Sequence, residues 1–449
     1  MRLQSKFSSA VRPALERLNK NGFEAYLIGG SVRDALMGVP VGDIDITTNA
    51  LPTEVKSVFS DCRVIETGIR HGTVTVLFEG EKFEITTYRQ DGEYTDSRHP
   101  DRVEFSRSLK EDVLRRDFTV NGIAYSFSEG IRDFTEGEKD IERKIIRCIG
   151  DPERRFSEDA LRILRALRFS SVLGFEIEAE TENAIVKLAP SLDKISAERK
   201  RDELLKLLTG KNAEKVLLKY PEVIARVVPQ IQKSIGFSQN NRHHIYDVYT
   251  HSVKALSASL PDTAIRTALF LHDIGKPHCA TADSNGNNHF KGHAEKSAVL
   301  ADEALKNLRL DNKTREEICL LVRYHGFSIM NPQGEPDKIR LRRLISLLGY
   351  EGARKLIEIQ RCDNSAKNPE YVLSAEFFKK AYDLIGEIEA DGDCVSLKDL
   401  KINGADLKNA GYRGEEIGKE LDSCLDLVLE GKIPNRREEL LKEIKKTVR

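Results

Sequence analysis

Two aspartates, Asp43 and Asp45, lie two residues apart in the segment Gly-Asp-Ile-Asp-Ile, whose alternation of polar and apolar residues predicts a β-strand. Side chains at this spacing project from the same face of a sheet, so the carboxylates would repel each other unless a cation lay between them. Mg²⁺ binds through one or two carboxylates and substrate phosphates, and such ions can hold the attacking and leaving oxygens in phosphoryl transfer. The pair therefore indicates catalytic metal ligands, although an isolated pair of this kind is more often an exposed strand edge.

A glycine-rich turn lies upstream of these aspartates. Residues 26–34, Tyr-Leu-Ile-Gly-Gly-Ser-Val-Arg-Asp, predict a strand, a tight turn, and a helix start that Ser31 would cap. Backbone N–H groups in such a turn can face an anion, and Arg33 would add positive charge. Most turns of this kind are only connections, but the position beside the two aspartates favours phosphate binding by Gly30 and Arg33. On a later predicted strand, Glu84 is a candidate third carboxylate.

Charged residues recur at intervals of three in the segment 158–169, as Asp159, Arg162, Arg165 and Arg168. This spacing predicts one ridge of a helix, beside a parallel ridge of leucines that would pack on the protein body. Three arginines in a row would repel one another unless phosphates or a base accompanied them. The row therefore favours contact with a nucleotide over a solvated helix face.

In order and spacing, these segments resemble the polymerase-β-like nucleotidyltransferases, specifically the bacterial class II CCA-adding enzymes and their poly(A) polymerase relatives. The resemblance covers about the first 210 residues and rests on the segments 26–34, 42–46, 114–121, 158–169 and 196–204. It implies that Arg116 addresses the phosphates and ribose of the incoming nucleotide, with Asp117 nearby. Gly122 stands where alanine is expected, a change between two small residues. The implied substrates are CTP and ATP, the implied partner is tRNA, and the implied cofactor is Mg²⁺.

Within this resemblance the segment 158–169 corresponds to the motif that selects the nucleotide. Cytosine and adenine both present an amino donor beside a ring-nitrogen acceptor, whereas uracil and guanine present a carbonyl beside an N–H donor. One carboxylate and one guanidinium can therefore serve both accepted bases. We expect Asp159 to accept and Arg162 to donate, with Arg165 and Arg168 nearer the phosphates or the primer.

Histidines concentrate between residues 243 and 325, where eight of the ten lie. The order His, His-Asp, Asp resembles the HD family of metal-dependent phosphohydrolases and is formed by His251, His272, Asp273 and Asp363. Imidazoles beside carboxylates suit a transition metal such as Ni²⁺, Mn²⁺ or Co²⁺. Candidates for a second metal position are His289, His293 and His325. Such a domain would hydrolyse a phosphoester, for example a 2′,3′-cyclic phosphate at a damaged RNA end, or it would be a degenerate domain that only packs or holds RNA.

The predicted secondary structure changes near residue 150. Short β-rich segments dominate before that point, and apolar residues at three- and four-residue spacing dominate after it, where we expect helices alone. The expected fold is α+β, with a polymerase-β-like nucleotidyltransferase head and a small mixed sheet, followed by helical regions. The expected parts are the head over 1–150, a neck for nucleotide selection and RNA binding over 151–233, an HD domain over 234–390 and a C-terminal tRNA-binding region over 391–449. The last region ends in a basic segment, which would suit RNA phosphates.

Composition excludes several classes of protein. No apolar run approaches the roughly 20 residues that cross a bilayer, and the N-terminus lacks the apolar core of a secretory signal. The seven cysteines form no Cys-x-x-Cys pair, which suits reduced thiols. We therefore expect a cytoplasmic protein without a membrane partner, as a monomer or homodimer.

Other functions stay open on the sequence alone. An A-adding enzyme or a poly(A) polymerase would share the same motifs, although the polar segment 90–101 resembles the flexible loop that full CCA-adding and A-adding enzymes retain. From a different class, an HD phosphohydrolase with a ligand-sensing head would carry the histidines. The intact Asp43 and Asp45 disfavour that alternative.

Overall fold

The computed structural model describes residues 3–91 and 103–447, which divide into two compact units, Met1–Val227 and Val228–Arg449. The expected division into four parts stays a prediction. Residues 92–101 of the polar loop lie outside the described residues. Among the described helices, none combines the length and the apolar character that crossing a bilayer requires.

The first unit contains a mixed β-sheet. The described strands of this unit are β1 (Ala25–Ile28), β2 (Ile44–Thr48), β3 (Arg63–Ile65), β4 (Thr73–Phe78), β5 (Glu81–Thr87), β6 (Arg89–Asp91), β7 (Val103–Phe105), β8 (Ile123–Ser126), β9 (Gly130–Asp133), β10 (Ile145–Ile146) and β11 (Glu176–Ile177). Seven of these described strands form one sheet in the order β3-β4-β5-β2-β1-β8-β9. In it β2 and β5 run parallel, and the other neighbours run antiparallel. The predicted small mixed sheet of an α+β head is confirmed.

Strand β2 lies between β1 and β5 in this sheet. Its register places Ile46 beside Leu27 on β1, and Asp45 beside Glu84 on β5. Ile44 and Ile46 are buried in an apolar cluster, whereas Asp45 is half-buried. Because side chains alternate along a strand, the core-facing isoleucines direct Asp45 to the opposite face.

Helices form most of the remaining first unit. They are α1 (Val11–Lys20), α2 (Gly30–Met37), α3 (Pro52–Val58), α4 (Leu109–Leu114), α5 (Gly137–Arg143), α6 (Pro152–Glu158), α7 (Leu161–Leu173), α8 (Ala179–Leu188), α9 (Ala197–Leu208), α10 (Ala213–Lys219) and α11 (Pro221–Val227). The leucine ridge of α7 is buried as predicted, at Leu161, Leu164 and Leu167. This apolar face holds α7 against the protein body and leaves its arginines on other faces.

The second unit is largely helical where it is described. Its elements are α12 (Val248–Ser257), α13 (Thr263–Leu271), α14 (Lys276–Cys279), β12 (Thr281–Ala282), β13 (Asn288–His289), α15 (His293–Asn307), α16 (Asn312–Tyr324), α17 (Lys338–Ser365), α18 (Ala375–Ala390), α19 (Gly404–Asn409), α20 (Glu415–Leu429) and α21 (Arg437–Thr447). The expectation of helices alone after residue 150 is wrong for β11, β12 and β13. Each of these strands has two residues, too few for hydrophobic periodicity to reveal.

Candidate functional site

Three carboxylates lie around the start of β2. Asp43 is exposed and immediately precedes the strand, whereas Asp45 lies on it, beside Glu84 of β5. The pKa of Asp45 is raised to about 6, first by burial and then by the negative charges of Glu84 and Asp43, while Arg116 opposes the rise. The structure thus brings together the carboxylates that the sequence singled out. Such a concentration of negative charge suits a divalent cation.

The Gly-Gly turn connects β1 to α2 beside these carboxylates. Gly29 has φ 77° and ψ −136°, a conformation that glycine alone adopts readily. A Cβ at Gly29 would lie 3.6 Å from both Asp45 Oδ2 and Arg116 Nη1, so the turn packs directly against those groups. The expectation that Ser31 caps α2 is wrong, because Gly29 occupies the N-cap position and the helix begins at Gly30.

Arg33 lies in the first turn of α2 and is buried. Its Nη1 donates to Asn121 Oδ1 at 2.6 Å, and its Nε donates to Asp34 Oδ1 at 2.9 Å. The guanidinium carbon also lies 5.3 Å from the ring centre of Phe169 on α7. These contacts fix the turn to its surroundings. Phosphate binding by Arg33 and Gly30 stays a prediction.

Arg115 and Arg116 both donate to a buried carboxylate, Asp112, that was not predicted from the sequence. Asp112 on α4 is fully buried and accepts hydrogen bonds from Arg116 Nη2 at 3.1 Å and Arg115 Nη2 at 2.7 Å. It also accepts one from Thr47 Oγ1 on β2, at 3.0 Å. Burial by itself would raise the pKa of Asp112, but Arg116 and Arg115 lower it to about 2. The available signal was a carboxylate three and four residues before two arginines on a helix.

The prediction that four charged residues form one ridge of a helix is wrong for the first of them, Asp159. α6 ends at Glu158 and α7 begins at Leu161, so Asp159 is extended, with φ −142° and ψ 101°. Its Oδ1 accepts from the N–H of Leu161 at 3.0 Å, and its Oδ2 accepts from Arg199 Nη2 on α9 at 2.7 Å. Asp159 is not helical because its carboxylate accepts from the first N–H of α7 and pairs with Arg199, which is distant in sequence.

The arginines of α7 are balanced by carboxylates of the protein. Arg165 Nε donates to Asp117 Oδ2 at 2.7 Å, and Arg168 Nε lies 2.6 Å from Glu203 Oε2 on α9. The guanidinium carbon of Arg168 also lies 3.8 Å from the ring centre of Phe169. These arginines therefore need neither phosphates nor a base to offset their repulsion, and the prediction that they do is wrong. Contact of Arg165 and Arg168 with phosphates or primer stays a prediction.

Arg162 is buried on α7. Its Nη1 lies 3.5 Å from Glu158 Oε2, and its Nη2 donates to the carbonyl of Arg115 at 3.3 Å. Arg162 therefore joins α7 to the end of α4, next to the residue that precedes Arg116. Base reading by Arg162 and Asp159 stays a prediction.

In the second unit, four predicted metal ligands come together from α12, α17 and the end of α13. One ligand atom from each of them lies within 4.8 Å of the others, and the residues are His251, His272, Asp273 and Asp363. His251 Nε2 lies 2.8 Å from Asp363 Oδ1, and His272 Nε2 lies 3.1 Å from Asp273 Oδ2. Burial lowers the pKa of His272, but Asp273 and Asp363 outweigh it and raise the value to about 10. The cluster strongly favours a positive charge.

A second cluster shares Asp273 with the first. His293 Nε2 and His325 Nε2 lie 3.2 Å apart, and each is within 3.6 Å of Asp273 Oδ1. The expectation that His289 joins this position is wrong, because its ring is exposed on β13 and pairs with Asp283 at 3.2 Å. The two oxygens of Asp273 therefore face two separate groups of imidazoles.

The imidazoles are oriented for ligation through Nε2. Three of them donate from Nδ1 to a backbone carbonyl three residues earlier, at 2.7 Å, namely His272, His293 and His325. His251 Nδ1 faces the carbonyl of Ala366 at 3.2 Å. Such contacts are the outer-shell arrangement of metal-binding histidines. His272 Nε2 and Asp273 Oδ1 are buried without a hydrogen-bond partner, which is the condition that a bound metal would relieve.

A cavity of about 460 Å³ opens onto this centre. Lys276 Nζ lies 2.7 Å from Asp273 Oδ2, and Lys367 Nζ lies 2.7 Å from Asp363 Oδ2, so two ammonium groups lie beside the predicted metal ligands. Much of the remaining wall is apolar, including Phe327, Ile329, Leu373, Phe377 and Phe378. Positive charge beside an oxygen and nitrogen ligand set suits a phosphorylated ligand.

Three family models match the chain in sequence order. A poly A polymerase head domain matches residues 25–147, a probable RNA and SrmB-binding site of polymerase A matches 174–232, and an HD domain matches 243–356. The head match contains Asp43, Asp45 and Arg116, whereas the HD match ends before Asp363.

Similar proteins span the chain. The CCA-adding enzyme of Ligilactobacillus salivarius is 35% identical over 457 residues, covering 99% of this chain and 97% of that protein. The CCA-adding enzyme of Leuconostoc mesenteroides is 51% identical over 207 residues, a match that covers 46% of this chain and about half, 51%, of that protein. Among solved structures, the CCA-adding enzyme of Bacillus stearothermophilus in complex with CTP superposes with a TM-score of 0.77 and 28% identity, covering 98% of this chain and 97% of that one.

Proposed function

Since the chain belongs to the family of CCA-adding enzymes, we propose that it builds and repairs the 3′-terminal CCA of tRNA, using CTP, ATP and Mg²⁺. The observation that carries the proposal is the grouping of Asp43, Asp45 and Glu84 beside Gly29 and Arg116. A cytoplasmic location fits the free cysteines of the described chain. The monomer and the homodimer both stay open.

In this reaction the 3′ hydroxyl of the RNA attacks the α-phosphorus of the nucleotide, and pyrophosphate leaves. Asp43 and Asp45 would hold Mg²⁺, which when bound supplies positive charge to the attacking and leaving oxygens. Arg116 and the backbone N–H groups of the turn at Gly30 would hold the phosphates that do not react. Asp159 would offer its carboxylate to the amino group of cytosine or adenine in an orientation fixed by Arg199.

The test offers the protein tRNAs that end before CCA, after the first C and after the second C, together with CTP and ATP, and sequences the 3′ ends. Completed CCA on all three supports the proposal. Addition of A alone to the tRNA ending in CC would identify an A-adding enzyme instead. Long tails of A would identify a poly(A) polymerase.

Substitution separates catalysis from RNA binding. Asp43→Ala and Asp45→Ala should abolish addition while leaving tRNA binding largely intact, because the carboxylates hold the ions and other regions hold the RNA. Asp61→Ala, which removes an exposed carboxylate paired with Arg17, is the control and should keep activity. Activity within a few-fold of wild type in either variant at β2 would contradict the metal assignment.

A second candidate function belongs to the centre in the second unit. His272 Nε2 and Asp273 Oδ1 are buried without a hydrogen bond, and this favours a metal-dependent phosphohydrolase over a domain that only packs. The ligands would be His251, His272, Asp273 and Asp363, and a transition metal such as Ni²⁺, Mn²⁺ or Co²⁺ would supply a Lewis acid there. The assay is metal-dependent opening of a terminal 2′,3′-cyclic phosphate on RNA, in which one water adds, one of the two phosphoester bonds breaks, and a 2′- or 3′-phosphomonoester is left on the RNA.

A further inference from the structure

Asp112 joins two arginines to the strand that carries Asp45. Its Oδ1 accepts from Arg115 Nε at 2.9 Å and Nη2 at 2.7 Å, and its Oδ2 accepts from Arg116 Nη2 at 3.1 Å. The same Oδ2 accepts from Thr47 Oγ1 at 3.0 Å, and Thr47 lies two residues after Asp45 on β2. Both carboxylate oxygens are thus fully used, and the side chain has no exposure to solvent.

The other end of Arg116 faces the active site. The position that a Cβ would take at Gly29 is 3.6 Å from Arg116 Nη1 and 3.6 Å from Asp45 Oδ2, so Nη1 lies in the corner between the turn and the carboxylate. Asp112 holds Nη2 of the same planar guanidinium. Because the group is rigid, fixing Nη2 also fixes the direction of Nη1.

We propose that Asp112 is a positioning residue for nucleotide binding, which holds Arg116 so that Nη1 points to the place of the nucleotide phosphates. This inference rests on the proposed function of Arg116. Asp112 itself touches no substrate.

The experiment compares Asp112→Asn, Arg116→Ala and the double variant. An asparagine has the shape of aspartate but offers one carbonyl oxygen and an NH₂ group, so one of the two arginines loses its acceptor. KM for CTP and ATP is measured, together with inhibition by inorganic tripolyphosphate, a probe that carries phosphates without a base. Asp112→Asn and Arg116→Ala should each raise KM and the inhibition constant by roughly tenfold or more, because a hydrogen bond to a charged group is lost.

The double variant distinguishes positioning from an independent effect. If Asp112 acts only through Arg116, the double variant should be no worse than Arg116→Ala alone. Asp140→Asn is the matched control, since Asp140 is also buried and accepts from Thr119 Oγ1 at 2.7 Å and Arg147 Nε at 3.1 Å, away from Arg116. This control should leave KM and tripolyphosphate inhibition unchanged.

Several results would overturn the proposal. Additive losses in the double variant, or a normal KM in Asp112→Asn beside a raised KM in Arg116→Ala, would remove the positioning role while leaving Arg116 in place. A normal KM in Arg116→Ala would show instead that the proposed role of Arg116 itself has failed. If Asp112→Asn does not fold, Thr47→Val removes one donor to the same oxygen. That variant should raise KM in the same direction by a smaller factor, and an unchanged KM would overturn the proposal.

Discussion

Asp45 carries a carboxyl group whose pKa is raised to about 6 by burial and by its acidic neighbours. Because the value is raised in the folded protein, protonation stabilises the fold below that pH, and this contribution is lost as the pH rises through about 6. Mg²⁺ needs the ionised form, so the metal and the proton compete for the same oxygens.

We therefore predict that nucleotide addition at low Mg²⁺ falls as the pH drops through about 6, and that the midpoint moves to lower pH as Mg²⁺ is increased. The measurement is kcat/KM against pH at several Mg²⁺ concentrations. Lys82→Met serves as a comparison, since Lys82 lowers the pKa of Asp45 and its removal should move the midpoint upward. A pH midpoint that does not change with the Mg²⁺ concentration would contradict the competition between Mg²⁺ and the proton.

Gly29 supports a prediction about stability. An alanine there would adopt φ 77° and ψ −136°, at a cost of about 1–3 kcal/mol. Gly30→Ala is the matched control, because Gly30 is helical and its new Cβ would meet Arg33 Nη2 at an ordinary 3.5 Å. Urea unfolding should show the loss for Gly29→Ala and little change for Gly30→Ala. Equal stability of the two variants would show that the turn tolerates a side chain.

At the residue scale, the sequence was informative where two residues share one strand or one short motif. The spacing of Asp43 and Asp45 was sufficient to predict that their carboxylates lie close to each other. Asp112 was missed because its importance depends on Thr47 and Arg116, which lie on separate elements and meet it only in the folded head.

The break between α6 and α7 was not predictable from local pattern. In the sequence, Asp159 keeps the three-residue spacing of Arg162, Arg165 and Arg168, but its carboxylate pairs with Arg199, forty residues away. By contrast, the small sheet and the largely helical remainder were predicted correctly, apart from the two-residue strands β11, β12 and β13, because alternation and helical spacing are local properties. The presence of a helix or strand can be predicted from nearby residues, whereas the residue at which it ends depends on contacts with distant parts of the chain.

The extended position of Asp159 between α6 and α7 supports a prediction about which nucleotide is selected. Asp159→Ala removes the acceptor at the start of α7 and the partner of Arg199, so UTP and GTP should be used more relative to CTP and ATP. Arg199→Ala should shift the same ratio, since it frees Asp159 from its orientation. Arg168→Ala should instead slow all four nucleotides alike. If incorporation by the Asp159 variant keeps the wild-type ratio, this region does not read the base.

At the scale of the whole molecule, the carboxylates of the head and the histidine centre lie in different compact units. Metal binding in the second unit should therefore be separable from nucleotide addition in the first. The sequence predicted that His251, His272, Asp273 and Asp363 come together, because the residue types and their order are distinctive. It misplaced His289, because the orientation of a histidine near the cluster depends on the short strand that carries it.

We predict that alanine at His251, His272, Asp273 and Asp363 together removes bound Mn²⁺ or Ni²⁺ while nucleotide addition stays close to wild type. His289→Ala is the control and should retain the metal, because that ring is exposed and pairs with Asp283. Metal content is measured on the purified full chain. In wild type, metal at about 100 times its Kd should also stabilise the second unit by about 2.7 kcal/mol. Equal metal content in wild type and the quadruple variant would show that the cluster only packs.

The position of β2 inside the sheet also bears on how the protein is made. Its two neighbours, β1 and β5, come from residues before and well after it, and Glu84 lies on the later one. A chain leaving the ribosome therefore carries Asp43 and Asp45 into solution before the strand that completes their surroundings has been synthesised. During that interval the nascent head has its acidic pair without Glu84 or Arg116, so under the proposed function it cannot add a nucleotide until translation has passed both residues.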